Sequence, residues 1–147
     1  MKELLATHDS GAEIWKGGAA IDWDWLMVSI KLSYWGAGLS DDDIKTAVDC
    51  SLSYSLYVDG AQMGFARLVT DHSRFGWLSD VILDEAVRDQ GLGGWLIGEM
   101  LATPTAKRLR RILLSTDDAF SFYERFGFER LADTTFMQLM PKSGSSC

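Results

Sequence analysis

The run at residues 80–97 reads DVILDEAVRDQGLGGWLI. It starts at the end of an apolar, strand-like segment (residues 76–83) and passes through a polar loop to Gly91, Gly93 and Gly94. Apolar residues then recur at the spacing of a helix, at Leu92, Leu96, Ile97, Met100 and Leu101. The run therefore predicts a strand, a glycine-rich turn and a helix. Because the first turn of a helix offers unpaired N–H groups and the positive end of the peptide dipoles, such a turn suits a phosphate or pyrophosphate.

Two common nucleotide-binding patterns do not fit this turn. No Gly-Lys-Ser/Thr ending is present, so it is not a Walker loop, and the glycines lack the G-x-G-x-x-G spacing of a dinucleotide fingerprint. The pattern that fits is Arg-x-x-Gly-x-Gly, at Arg88, Gly91 and Gly93. A tight strand-to-helix turn without a ligand is the alternative interpretation of the same residues.

Bulk composition narrows the class of protein. The chain has 147 residues, of which 47% are hydrophobic, and this suits one domain with a proper core. Its net charge of −7 argues against general nucleic-acid binding. No apolar run has membrane-spanning length and no secretory signal is evident, so we expect a cytoplasmic protein that binds neither nucleic acid nor membrane. Two isolated histidines (His8 and His72) and two distant cysteines (Cys50 and Cys147) predict neither a metal site nor a disulfide framework.

The rest of the sequence predicts an alternation of strands and helices within one domain over residues 1–141, followed by a flexible tail at 142–147. Residues 1–11 are expected to be loosely held. The expected elements are a strand near 12–15, helices at 22–32 and 41–51, a hairpin of strands 53–58 and 62–70 around Asp59-Gly60, a strand at 76–83, a helix at 92–102, a strand at 112–115, a short helix capped by Asp117, and closing strands at 128–131 and 135–140. Thr103-Pro104 is expected to end regular structure after the helix at 92–102.

At Arg88–Gly93 the sequence resembles the pyrophosphate loop of the GNAT superfamily of acetyl-CoA-dependent N-acetyltransferases, which reads Gln/Arg-x-x-Gly-x-Gly/Ala. A second likeness begins about thirty residues later, where residues 118–128 (DAFSFYERFGF) are similar to the family's Asn/Asp-Ala…Phe-Tyr-x-x-x-Gly-Phe segment. The resemblance spans roughly residues 12–140. It implies an α+β fold with a mixed, mostly antiparallel central sheet whose middle strands splay apart, flanked by helices. It also implies transfer of the acetyl group of acetyl-CoA to a primary amine of a small molecule, amino acid or peptide, by direct attack in a ternary complex.

The resemblance assigns cofactor contacts to both segments. Main-chain groups of the strand before the glycine loop would bind the pantetheine arm, and an N–H near Val81 would face the thioester oxygen. The cofactor-binding residues implied in this way are Val81, Ile82, Leu83, Arg88, Asp89, Gln90, Gly91, Leu92, Gly93, Gly94, Asp118 and Tyr123. Asp89 departs from the family pattern, because it stands where the loop often has glycine. The presence of a carboxylate at Asp118 is explained almost as well by its position at the start of a helix.

Catalytic groups are implied at two positions. Tyr123 matches the tyrosine that commonly protonates the departing thiolate, a transfer favoured by ordinary pKa values of about 10 for a phenol and about 8.5 for a thiol. Packing among neighbouring phenylalanines is its alternative role. Asp80, which alternates with Leu78 and Ile82 on the reactive strand, is a candidate general base and equally a buried structural hydrogen bonder.

Three aromatic residues are candidates for the acceptor pocket, although each is also compatible with core packing: Tyr34, Trp35 and Trp77. The expected partners are acetyl-CoA and a small amine, with the protein a monomer or homodimer. The alternative function is a catalytically inactive GNAT-fold module that binds acyl-CoA or serves in an interaction. A phosphate-binding protein of unrelated fold is disfavoured by the missing nucleotide motifs.

Overall fold

The computed structural model describes residues 1–132 and 134–141. It divides into two compact units, residues 1–115 and residues from 116 onward. The expected tail at 142–147 lies outside the described residues, and the single domain over 1–141 stays a prediction.

The first unit is built on one six-stranded sheet in which each strand neighbours the next along the chain. All adjacent pairs are antiparallel except the last, which is parallel. The strands are β1 (Glu3–Thr7), β2 (Glu13–Lys16), β3 (Leu52–Val58), β4 (Ala61–Thr70), β5 (Phe75–Leu83) and β6 (Arg111–Leu113).

Two sequence expectations for the sheet have different outcomes. The hairpin between β3 and β4 is confirmed: Asp59 and Gly60 have φ values of 51° and 80°, the left-handed pair that a two-residue type I′ turn requires. The expectation that residues 1–11 are loosely held is wrong, because β1 pairs with β2 from Glu3 to Thr7. An edge strand needs only one hydrogen-bonded neighbour and can expose most of its side chains, so a polar composition did not reveal it.

The helices of the first unit are α1 (Trp23–Leu32), α2 (Asp41–Asp49), α3 (Leu92–Leu101) and α4 (Pro104–Arg108). Asp22 caps α1 by accepting from the Trp25 N–H, and Ser40 caps α2 by accepting from the Asp43 N–H, as their sequence positions predict. Thr103-Pro104 does not end regular structure. Thr103 is the N-cap of α4 and Pro104 its first residue, where a missing N–H costs no hydrogen bond.

The core lies on both faces of the sheet. On one face, Phe65 of β4 packs with Leu26 and Ile30 of α1 and with Ile44 and Val48 of α2. Since neighbouring residues of a strand point to opposite faces, Tyr54, Leu56 and Leu68 line the other face and are fully buried. There α3 lies against β3 and β4 and buries Leu92, Leu96, Ile97 and Met100.

The second unit contains α5 (Phe120–Glu124). Its N-cap is Ala119, not the expected Asp117, and the Ala119 N–H donates to the Thr116 hydroxyl. The expected closing strands at 128–131 and 135–140 are wrong, since neither range forms a strand. Their alternating apolar residues are largely exposed, and alternation alone does not make a strand without a partner to complete its hydrogen bonds.

Across the residues that the structure describes, no helix is both long enough and apolar enough to cross a membrane.

Candidate active site

A β-bulge interrupts the pairing of β4 with β5. Phe65 pairs with Ile82 and Arg67 with Ser79, so Ala66 alone stands opposite Asp80 and Val81. Asp80 has φ 49°, in the left-handed region. Aspartate is one of the few residues other than glycine that adopts this conformation at modest cost. The extra residue bends β5 and increases its twist just before the segment that leads to the glycine turn.

Beyond the bulge, one edge of β5 has no strand partner in the described part of the chain. The parallel pairing with β6 covers Phe75 to Trp77, whereas β5 continues to Leu83. The Asp84 N–H donates to Met63 O of β4 at 2.7 Å. Because main-chain groups alternate between the two edges of a strand, those of Leu83 and Val81 face away from β4. Arg88 Nε confirms this direction for Leu83, since it donates to the Leu83 carbonyl at 3.2 Å.

The glycine turn joins this open edge to α3. Gly91 is the N-cap of α3, with φ 76°, and it places no side chain over the first helical turn. Apart from its chain neighbours, no atom lies within 4 Å of the position that a Cβ at Gly91 would take. Leu92 is buried under the turn, while Gly93 and Gly94 lie within the first turn of α3. The unpaired N–H groups of such a helix start, with no side chain at Gly91 beside them, suit an anion.

The charges around the turn are mixed. Arg88 is half exposed, and its guanidinium lies 3.7 Å from the Glu85 carboxylate. Asp89, with φ 63°, is exposed, and Gln90 Nε2 donates to Ala86 O at 3.4 Å. A carboxylate is unfavourable near a bound anion, but an exposed one is screened by solvent.

Asp80 is the centre of a largely buried hydrogen-bonded group. Its Oδ2 accepts from Arg67 Nε at 2.6 Å, and its Oδ1 accepts from the Trp35 indole Nε1 at 2.7 Å. The side chains of Arg67 and Asp80 are only 14% and 10% exposed. The guanidinium also donates to the hydroxyls of Ser51, at 3.0 Å, and Ser79, at 3.3 Å. Every member of this ion pair is thus hydrogen-bonded, which a buried charge requires.

The three candidate acceptor residues are not equally placed. Trp35 joins Asp80 directly, and Tyr34 contacts Trp35 edge to face with ring centroids 5.0 Å apart. Both lie in the loop between α1 and α2 and are partly exposed, Tyr34 by 64% and Trp35 by 44%. Trp77 lies on β5, two residues before Ser79 and on the same face of the strand, but it does not belong to the hydrogen-bonded group.

Asp118 and Tyr123 belong to the second unit. Asp118 comes just before α5, and Tyr123 lies in its last turn. The Tyr123 ring contacts Phe122 and Phe128 edge to face, with centroids 5.0 Å and 5.8 Å away. These contacts fix the ring and are compatible with either of the roles that its sequence position suggests.

Sequence reasoning missed Arg67, Ser51 and Ser79. A signal was available for Arg67, because an arginine within the mostly apolar run of β4 must find a partner when the strand is buried. Nothing local identifies that partner, which lies on the next strand at a position fixed by the bulge. The described residues also contain no group of three or more His, Cys, Asp or Glu side chains that could hold a metal ion.

The family model for the acetyltransferase (GNAT) domain matches residues 50–130, more than half of the chain. The chain belongs to the GNAT family of acetyltransferases. The match includes the bulged strand, the glycine turn and α5, so the family implied by the two sequence motifs is confirmed.

Solved GNAT structures share the fold. A protein from Xanthomonas campestris pv. campestris, assigned to the GNAT family, is 26% identical over 86% of this chain and 89% of its own, with a TM-score of 0.80. A GNAT family protein from Streptococcus pneumoniae TIGR4 is 24% identical over 90% and 99%, with a TM-score of 0.71. The GCN5-related N-acetyltransferase from Ralstonia eutropha JMP134 is 14% identical over 87% and 99%, with a TM-score of 0.67. No curated protein matches the chain. The predicted α+β GNAT fold is thereby confirmed.

Proposed function

We propose that this GNAT protein is an N-acetyltransferase that transfers the acetyl group of acetyl-CoA to a primary amine of a small molecule, amino acid or peptide. One observation carries the proposal: β5, whose edge beyond Trp77 has no strand partner in the described residues, is followed after the loop at residues 84–90 by the glycine-capped start of α3. An extended amide-containing chain can pair with such an edge, and a pyrophosphate can occupy such a helix start. The two features lie in the order in which the parts of acetyl-CoA follow one another.

The residues present fit acetyl-CoA. Gly91 leaves open space where a side chain would block an anion, and Arg88 adds a positive charge beside the turn. Main-chain groups of Val81 and Leu83 are directed to the free edge of β5, where they can pair with the amides of the pantetheine arm. The carboxylates of Glu85 and Asp89 oppose an anion, and their exposure reduces that effect. When bound, acetyl-CoA supplies the acetyl group as a thioester.

The protein groups have separate tasks in this proposal. The Val81 N–H would donate to the carbonyl oxygen on which negative charge develops, and it is held in place by the bulge. The Tyr123 hydroxyl would donate a proton to the sulfur that leaves. Holding the amine beside the carbonyl supplies much of the remaining acceleration, because positioning replaces a bimolecular encounter.

The two roles that the sequence suggests for Asp80, general base and structural hydrogen bonder, are not equally supported. Both carboxylate oxygens already accept hydrogen bonds, from Arg67 and from Trp35. This occupancy supports the structural role over the general base. It also favours, as the second candidate function, a module that binds acyl-CoA without turnover.

The first experiment is thermal unfolding with and without acetyl-CoA. A ligand at a hundred times its Kd should stabilise the protein by about 2.7 kcal/mol. For a protein of this size we expect a midpoint rise of roughly 5–10 °C. Gly91→Glu places a carboxylate at the helix start and should abolish the rise. Gly60→Glu is the matched control, because Gly60 has nearly the same φ, +80° against +76°, and equally open surroundings, but lies in the β3–β4 hairpin.

Loss of the rise in Gly91→Glu, with retention in Gly60→Glu, supports the cofactor site. A parent that shows no rise at millimolar acetyl-CoA contradicts it. A rise without acetylation of any primary amine in a broad panel would favour the non-catalytic module.

A further inference from the structure

The side chain of Trp35 ties the loop between α1 and α2 to the bulge. Trp35 is 44% exposed, yet its indole N–H donates to Asp80 Oδ1, 45 positions along the chain, at 2.7 Å. The Tyr34 ring packs against the Trp35 ring. The position of both aromatic rings therefore depends on a carboxylate of the reactive strand.

That carboxylate is itself held rigidly. Arg67 Nε binds the second oxygen of Asp80, and the remaining guanidinium nitrogens donate to the hydroxyls of Ser51 and Ser79. The Ser51 hydroxyl in turn donates to Ala47 O at 2.7 Å in α2. The chain of bonds thus joins β4, β5 and the end of α2 to the loop that carries Trp35. A guanidinium fixed by three partners loses little further freedom when it orients a carboxylate.

Resting on the proposed N-acetyltransferase function, we infer that Asp80 is a positioning residue that fastens Trp35 over the bulge, and that Trp35 thereby selects the amine acceptor. In the proposed function the Val81 N–H, next to Asp80, faces the acyl carbonyl, so an amine that attacks there does so beside the residue to which Trp35 is bonded. A fixed aromatic wall favours acceptors whose carbon chain packs against it while the amino group reaches the bulge. Asp80 acts through Trp35 and takes no proton in this scheme.

The first half of the inference, that Asp80 holds Trp35, is tested by hydrogen exchange of the Trp35 indole N–H, measured by NMR on the full chain. The resonance is assigned by its loss in Trp35→Phe. Asp80→Gly removes the carboxylate, and glycine adopts the left-handed backbone at this position without strain. Since a hydrogen bond to a charged group is comparatively strong, the exchange rate should rise on the order of tenfold in Asp80→Gly.

The matched control is a second indole–carboxylate bond, from Trp15 Nε1 to Glu13 Oε1 at 3.2 Å on β2. Glu13→Ala should leave the exchange rate of Trp35 unchanged. A Trp35 N–H that exchanges equally fast in the parent and in Asp80→Gly overturns the inference.

The acceptor half is tested by kinetics with 1,4-diaminobutane, an amino acid amide and a short peptide as probe amines. Trp35→Phe removes the donor but keeps an aromatic ring, and Trp15→Phe is the matched control. We expect the KM for the best amine to rise on the order of tenfold in Trp35→Phe and in Asp80→Gly, with kcat and the KM for acetyl-CoA nearly unchanged. A general base would instead give, in Asp80→Gly, a kcat lower by about 10²-fold or more at unchanged amine KM, which overturns the positioning role.

The two proposals fail in different ways. A parent that acetylates none of the amines contradicts the proposed function and the acceptor half of this inference. The exchange rate of the Trp35 indole still decides whether Asp80 fastens the loop.

Discussion

Replacing Gly36 with alanine should destabilise the protein through one specific collision. A Cβ at Gly36 would lie 2.0 Å from the main-chain oxygen of Ile30 and 2.7 Å from its Cγ2. Ile30 is buried in the core at the end of α1, so neither atom can move freely. The Ile30 carbonyl also accepts hydrogen bonds from the N–H and the hydroxyl of Ser33, and these begin the loop that presents Trp35.

The size of the effect follows from these contacts. Real Cβ atoms approach other heavy atoms no closer than 3.0 Å, so the loop or the last turn of α1 must shift by about 1 Å. Overpacking of this kind costs about 1–3 kcal/mol, and two weakened hydrogen bonds add about 0.5–1.5 kcal/mol each. We therefore expect a loss of about 3 kcal/mol in the free energy of unfolding, which lowers the midpoint by roughly 6–12 °C.

Urea unfolding at equilibrium measures this loss directly. The matched control is Gly18→Ala, since a Cβ at Gly18 meets no atom within 4 Å and Gly18 has no left-handed φ. That variant should be unchanged or more stable by about 0.4–1 kcal/mol, because alanine restricts the unfolded chain. A Gly36→Ala protein whose stability lies within about 0.5 kcal/mol of Gly18→Ala would refute the reasoning.

Two further predictions concern pH and catalysis. The Asp71 carboxylate accepts hydrogen bonds from the N–H groups of Arg74, Phe75 and Ser73. These bonds, that from Arg74 most of all, lower the pKa of Asp71 from 3.8 to about 2. The native carboxylate therefore stabilises the fold fully above pH 3.8 and progressively less as the pH falls towards 2. Over that interval, the difference in the free energy of unfolding between the parent and Asp71→Asn, measured by urea unfolding, should shrink. A constant difference contradicts this. Tyr123→Phe keeps the ring and should lower kcat by about 10²-fold while the acetyl-CoA midpoint rise is retained. An unchanged kcat would assign Tyr123 to packing alone.

Local sequence signals predicted much of the fold. Three of these signals are the glycine turn, the apolar spacing of α3 and the caps of α1 and α2. Each involves residues within a few positions of one another, so each can be predicted without tertiary information. Edge strand β1 was missed because it gains its stability from β2, outside its own segment, which composition does not reveal. Helix α4 was missed although its signal is local, since Thr103 is its N-cap and Pro104 stands at its first position.

Part of the candidate site was likewise predictable from the local sequence, and part was not. Arg88-x-x-Gly91-x-Gly93 predicted an anion-binding helix start because the chemistry of such a start depends on one short segment. The role of Asp80 stayed open between a base and a structural hydrogen bonder. Its partners are 13 and 45 positions away, and neither distance carries a sequence pattern.

By itself, the sequence determined the family, the order of the central elements and the place of the glycine turn, since each depends on residues that are close along the chain. Only the tertiary structure decided that β5 is bulged at Asp80, that Arg67 bonds to Asp80, and that Trp35 reaches Asp80 from the loop between α1 and α2. The physical reason is register. One extra residue in β5 changes which side chains meet across the sheet, and that choice is made by packing of the whole core.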